Sequence, residues 1–201
     1  NLQYTTDGGK NWNNVTANYS TAGIPKGTWV SSIQPGRFNK SEVYVTFDNH
    51  AYGDMNTYVA KSSDFGKTWR MFKCTEFTGF AHKILEDLKN KDLLFLGTEM
   101  GCFMTIDGGE TWVRMKNNIP EFALVRDLAI HPETNDLVIA THGRGIYIMD
   151  DISPLRSLTN DLMNKDFAFL PSRKTPVTNG RFGGGGGQGG EFVAPNYTDQ
   201  A

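Results

Sequence analysis

Six side chains have the types and positions to do chemistry: His50, Tyr52, Asp54, Glu99, His142 and Arg144. They fall in three loops, 48–56, 98–101 and 141–144, each read as joining the second and third strands of a repeat. A carboxylate beside an imidazole makes a polar corner that can bind a ligand, move a proton or hold a metal. Glu99 and His142 occupy equivalent places in adjacent repeats, so the spacing predicts that they face one another. The competing reading is a hydrogen bond that closes a channel mouth. Hydrolysis of a glycosidic bond needs two carboxyl groups about 5–10 Å apart, and no motif assigns such a pair here. Neither a Ser-His-Asp nor a Cys-His signature is visible. No cofactor and no metal site is expected.

These loops have to be held by something, and the chain repeats its own answer. Thr5-Thr6-Asp7-Gly8-Gly9-Lys10-Asn11-Trp12, Ser62-Ser63-Asp64-Phe65-Gly66-Lys67-Thr68-Trp69 and Thr105-Ile106-Asp107-Gly108-Gly109-Glu110-Thr111-Trp112 share one rule, Ser/Thr-x-Asp-x-Gly-x-Thr/Asn-Trp. The copies lie 57 and 43 residues apart, between alternating apolar runs, which is propeller-blade spacing. A lone Asp in a Gly-rich turn lacks the oxygen ligands that calcium requires. Asp7, Asp64 and Asp107 therefore read as structural: each folds its carboxylate onto nearby backbone N–H groups. Gly9, Gly66 and Gly109 supply a left-handed residue. Phe65 in the second copy suggests that the position before that glycine makes no such demand. Trp12, Trp69 and Trp112 are predicted to open the next strand and bury their indoles.

Aligning the repeats predicts four short strands per unit. The second unit reads 29–34, 43–47, 58–62 and 69–72, and the third 81–85, 93–97, 102–105 and 112–115. A worn fourth unit reads 125–130, 137–141 and 145–149. Thr98 to Asp107 and Thr141 to Asp150 are both nine residues, which makes Asp150 the box Asp and puts Ile152 and Leu155 at the Gly and Trp positions. The second unit carries an insertion within Phe47–Asn56, and insertions in repeats collect on one face, often the binding face. Residues 1–158 thus read as blades from the C-terminal part of an all-β, partial β-propeller, and 159–201 as an extended exit segment with a Gly-rich linker at 183–190 and a possible strand at 167–170. The linker reads as a spacer, since it lacks the context of a phosphate-binding loop. The chain starts inside a repeat, so the rest of the propeller is expected upstream.

The 201 residues are 38% hydrophobic with net charge −2, a balance that gives no electrostatic case for nucleic acid. No apolar run is long enough to span a membrane. Cys74 and Cys102 could pair or stay as thiols, and four Asn-x-Ser/Thr sequons begin at Asn14, Asn18, Asn39 and Asn196.

The eight-residue box resembles the Asp-box, or BNR repeat, of sialidases, xyloglucanases and sortilin-type receptors. The runs Ile84–Asp87, Leu93–Gly101, Val125–Pro132 and Thr141–Leu155 are similar to the last blades of large secreted bacterial sortilin-like propellers, commonly labelled glycosyl hydrolases. The resemblance implies a secreted or cell-envelope location and a module that binds a protein, peptide or glycan, with a polysaccharide hydrolase as the alternative. It carries no catalytic residue over: Arg37, Arg126 and Arg144 are too scattered for a sialidase arginine triad.

Overall fold

Short apolar alternations broken by Gly, Asn and Asp make antiparallel hairpins. The computed structural model, which describes residues 1–116 and 118–174, folds them into four antiparallel sheets. A two-stranded pair holds β1 (Gln3–Tyr4) and β2 (Asn13–Asn14). The first four-stranded blade holds β3 (Trp29–Pro35), β4 (Val43–Asn49), β5 (Asp54–Ser62) and β6 (Arg70–Met71). The second holds β7 (Ala81–Glu86), β8 (Leu94–Thr98), β9 (Gly101–Thr105) and β10 (Val113–Arg114). A three-stranded blade holds β11 (Val125–Ile130), β12 (Leu137–Thr141) and β13 (Ile146–Met149). Strands within a sheet run in chain order, and the first strands β3, β7 and β11 pack across to one another. They are the inner strands of a partial β-propeller. Its core is three clusters, each filling the gap between successive sheets and centred on Phe47, on Phe72 and Phe103, and on Phe95 and Leu137.

The three boxes link third to fourth strands and share one hydrogen-bond plan. The hydroxyl of Thr5, Ser62 or Thr105 donates to the box Asp at 2.8, 2.9 and 2.6 Å and accepts the amide of Gly9, Gly66 or Gly109. The Asp then accepts the amide of Asn11, Thr68 or Thr111 at 3.0, 2.8 and 2.9 Å. These donors hold the box carboxyls below their ordinary range, Asp7 at about 2.

Four details depart from the sequence reading. First, Phe65 has φ 60° and matches Gly8 (74°) and Gly108 (70°), so the position before the box glycine is left-handed in every copy. The amide there anchors the box: Phe65 N–H donates to Ser41 O and Gly108 N–H to Asp92 O, both at 2.9 Å. Phe65 stacks on Tyr4, with centroids 5.3 Å apart, which offsets a backbone cost of roughly 1–2 kcal/mol. Second, Trp112 is 6% exposed but Trp12 is 59% exposed. Trp69 and Trp112 pack between their own sheet and the one before it; on that side of β1–β2 the described residues form no sheet. The Trp112 indole N–H, unlike those of Trp12 and Trp69, is buried without a partner among the described residues. Third, the inserted residues lengthen β4 and β5 and close on one 3-10 turn (His50–Tyr52), with Gly53 at φ 74°.

Fourth, the box Asp of the last blade is Asp151, not Asp150. Thr105 pairs with Leu94, and Met149 pairs with Leu137; the β12–β13 loop is one residue longer than the β8–β9 loop, which shifts the register. Ile152 N–H donates to Asn135 O at 2.9 Å, the bond Gly108 makes to Asp92. No hairpin follows. Helix α1 (Ser153–Arg156), with Pro154 in its first turn, brings Arg156 to the place of a box Trp. Arg156 grips buried Asp87 with two bonds of 2.8 Å. Burial pushes the Asp87 carboxyl up, but Arg156 and the amides of Lys89 and Asn90 outweigh it and hold it low. The exit segment contains a second short helix, α2 (Asn160–Met163), and residues 167–170 form no strand. The Gly-rich linker lies outside the described residues. Cys74 and Cys102 are both free thiols, and burial pushes Cys102 up to about 12.

Trp112→Ala should cost about 3–5 kcal/mol in urea unfolding, and Trp12→Ala less than about 1 kcal/mol. Arg156→Ala strands a buried carboxylate and should cost about 3–5 kcal/mol. An equal loss for the two Trp variants, or an unchanged midpoint for Arg156→Ala, contradicts these assignments.

Candidate functional site

Each inner strand carries a β-bulge at the same height: between Val30 and Ser32, Ala81 and Lys83, and Val125 and Asp127. A bulge re-aims the extra side chain. The extra residues are Ser31, His82 and Arg126, and each of the first two meets the next inner strand. Ser31 Oγ donates to Ala81 O at 2.7 Å. His82 Nδ1 lies 2.9 Å from Arg126 Nη1, and His82 Nε2 lies 3.0 Å from Glu99 Oε2. Arginine can only donate, so Nδ1 is the acceptor and Nε2 carries the proton that Glu99 receives. This fixes one neutral tautomer. His82 is 6% exposed. Burial lowers its pKa and the Arg126 charge lowers it further, against an upward pull from Glu99.

Beside this relay is an aromatic stack. The His50 ring lies over Phe80 at 4.6 Å and 20°, and Phe80 meets His82 edge-on at 4.9 Å. Asp48 orients His50 through its ring nitrogen at 2.6 Å and its amide at 2.9 Å. Tyr52 stands at the tip of the extended hairpin, 81% exposed. Asp54 accepts from Asn49 and Tyr58 at 2.9 Å and from Asn56, and these donors, Asn49 foremost, hold its carboxyl low. Asp54 thus fastens the β4–β5 turn, where it pairs across from Asn49.

The structure brings Glu99 and His50 to one surface around Phe80 and His82, with Tyr52 on the same hairpin as His50. Glu99 bonds His82 of its own blade, and no hydrogen bond joins it to His142 among the described residues. The longer β12–β13 loop, with Gly143 and Gly145 at φ 73° and 87°, leaves His142 and Arg144 exposed, and the His142 amide bonds Leu124 O. His82 and Arg126 escape a sequence reading because strand alternation assigns neither to this surface; the one-residue bulge does. Among the described residues no cluster of three His, Cys, Asp or Glu side chains converges as a metal site. The surface can hydrogen-bond through Glu99 and Arg126 and stack a ring or sugar on His50 or Tyr52.

The BNR/Asp-box repeat model matches residues 3–14, which span β1, the first box and β2. No curated protein matches the sequence. Among solved structures, a GH74 enzyme of Niastella koreensis is similar at 22% identity over 59% of this chain and 21% of that one, with a TM-score of 0.50. An ancestral GH74 enzyme is similar at 14% identity over 74% and 21%, with a TM-score of 0.55. The GH74 xyloglucanase of Xanthomonas campestris is similar at 19% over 72% and 23%, with a TM-score of 0.52. The chain spans about a fifth of the length of each. The likeness is one of fold: this is an Asp-box β-propeller.

The neutral state of His82 makes a pH prediction. Its native pKa is lowered, so below the unfolded value of 6.5 the unfolded chain binds more protons and stability falls. Stability measured by denaturant unfolding should decline as pH drops from about 7 to 5, above the range where the carboxylates titrate. His82→Gln should flatten that decline; an identical slope in the variant would show that His82 is not its source.

Proposed function

We propose that this chain is part of an extracellular β-propeller that binds a protein, peptide or glycan ligand on the face carrying the second-to-third-strand loops. The observation that carries the reading is the Glu99–His82–Arg126 relay beside the His50–Phe80 stack. It presents fixed hydrogen-bonding groups next to aromatic surface, the usual make-up of a recognition site. The extended β4–β5 hairpin raises Tyr52 above that face, and Tyr is a low-entropy contact residue.

Catalysis of glycoside hydrolysis is the second reading, favoured by the fold shared with GH74 enzymes. A glycosidase requires a carboxyl group held protonated as general acid, its pKa raised. The carboxyls perturbed in this structure, including Asp54 at the site, are instead pushed down by the donors that surround them. That state makes Asp54 a fixed hydrogen-bond acceptor, the role a recognition surface uses.

A glycan array and an immobilised peptide library, probed with the chain, should yield a ligand whose affinity drops about tenfold or more in Tyr52→Ala and in Glu99→Gln. Xyloglucan incubated with the chain should release no reducing ends. Binding indifferent to both substitutions, or hydrolysis lost in Glu99→Gln, would replace this reading with another.

A further inference from the structure

The last blade lacks a fourth strand among the described residues, and the backbone specifies what would fill its place. Met115 N–H donates to Cys102 O at 2.9 Å, just as Phe72 N–H donates to Val59 O and Val15 N–H to Leu2 O. Fourth strands here are two residues long, followed by an apolar residue whose amide completes the ladder. In the last blade Ile146, Tyr147 and Ile148 take the places of Cys102, Phe103 and Met104. Thr141 N–H donates to Gly145 O, so Tyr147 and Met149 point their amides at β12, and Ile146 and Ile148 point theirs at the open edge. Ile146 and Ile148 are exposed, and a cavity of about 170 Å³ lies beside that edge, lined by Ile119, Ile139, Tyr147, Ile148 and Met149 among others.

The chain returns to this edge by itself. In each intact box the Asp accepts the amide four residues on: Asn11, Thr68 or Thr111. Asp151 accepts the amide of Arg173 instead, at 2.6 Å, while the Arg173 guanidinium reaches Asp136 at 3.2 Å. Arg173 therefore stands where Thr111 stands, after an excursion through both short helices. Counting on from Thr111 to β10 and Met115, the matching residues are Thr175, Pro176 and Val177. They lie outside the described residues. Their types fit. Val177 falls on the apolar place of Val15, Phe72 and Met115. Pro176 falls on the place of Arg114, whose amide points away from the ladder, the one kind of edge position that tolerates a residue with no N–H.

We propose that residues 175–177 dock on the open edge of β13 as the fourth strand of the last blade, clamped by Arg173 on Asp151. The edge is then covered by the chain's own tail, and a bare strand edge no longer invites foreign pairing. This inference is independent of any ligand at the channel face.

Hydrogen exchange of the Ile148 amide in the full chain tests it, with the Leu94–Leu96 amides of β8 as the control for folding. The Ile148 amide, the counterpart of Met104 in the β9–β10 ladder, should exchange at least about tenfold slower in the full chain and in a chain ending at Gly180 than in one ending at Lys174. Val177→Pro, which removes the N–H that donates to Ile146 O, should weaken the added strand and speed Ile148 exchange, whereas Pro176→Ala should not. Rapid exchange in the full chain overturns the proposal. So does protection that survives in the chain ending at Lys174, which would assign the edge to another strand, or protection that rises with protein concentration, which would assign it to a second copy.

Discussion

The fold depends on a glycine that leaves no room for a side chain. A Cβ on Gly66 would lie 2.8 Å from Val15 Cγ2, and one on Gly109 would overlap the Phe72 ring. Val15 and Phe72 follow the fourth strand of the preceding sheet, so the box turn of one blade is pressed on the outer edge of the blade before. The same glycines have φ of 79° and 93°, a conformation that also excludes a side chain at little cost. Two independent demands thus converge on one residue. The Ser/Thr hydroxyl and the Asp carboxylate hold it there by satisfying the turn's amides, which would otherwise be left without partners. Blade-to-blade spacing follows from this contact, and the Trp after the turn fills what remains of the gap.

Once the spacing is uniform, equivalent residues of successive blades line up, and the inner-strand bulges become a belt. Ser31 reaches Ala81, and His82 reaches Arg126, across the same kind of gap. The belt changes character along its course from a hydroxyl to a buried neutral imidazole to a guanidinium. Histidine is accommodated at its middle because both ring nitrogens have partners and neither requires a charge. A lysine there would place a buried cation beside Arg126. The polar face of the propeller is in this sense a by-product of the packing at the opposite face.

The fold was legible in the sequence because its determinants are local. Alternation, turn residues and the box lie within about ten residues of each other, and their repetition fixes the strand order. What escaped was anything set by one-residue shifts. The β12–β13 loop is longer by one, which moves the box Asp from Asp150 to Asp151. The bulges add one residue to each inner strand, which turns His82 and Arg126 towards each other and gives Glu99 a partner in its own blade rather than in His142. Phe65 escaped for another reason: stacking on Tyr4, a contact 61 positions away in the chain, sustains a backbone conformation that its residue type disfavours. Of the six site residues read from the sequence, the loops that carry them were recoverable, and their pairings were not.

The two faces of the propeller differ in what they can vary. On the box face each turn is bound to the first hairpin of its own blade and to the edge of the previous one, so a substitution there is felt in two sheets. The last blade illustrates how much must change to depart from it: Ile152 in place of the left-handed residue comes with a helix, an Arg156–Asp87 pair and a returning segment that restores the lost amide to Asp151. On the opposite face the second-to-third-strand turns meet the next blade through individual side chains, His50 on Phe80 and Thr57 on Gly79 O, while Glu99 bonds His82 in its own blade. Residues 48–57 stand where the two-residue turn Glu99–Met100 stands in the next blade, and the extension is taken up by longer strands, the His50–Tyr52 turn and an Asp54 that fastens it internally. Turns that accept an insertion of this size can gain aromatic and charged groups, and recognition chemistry therefore collects on the face that the box does not constrain.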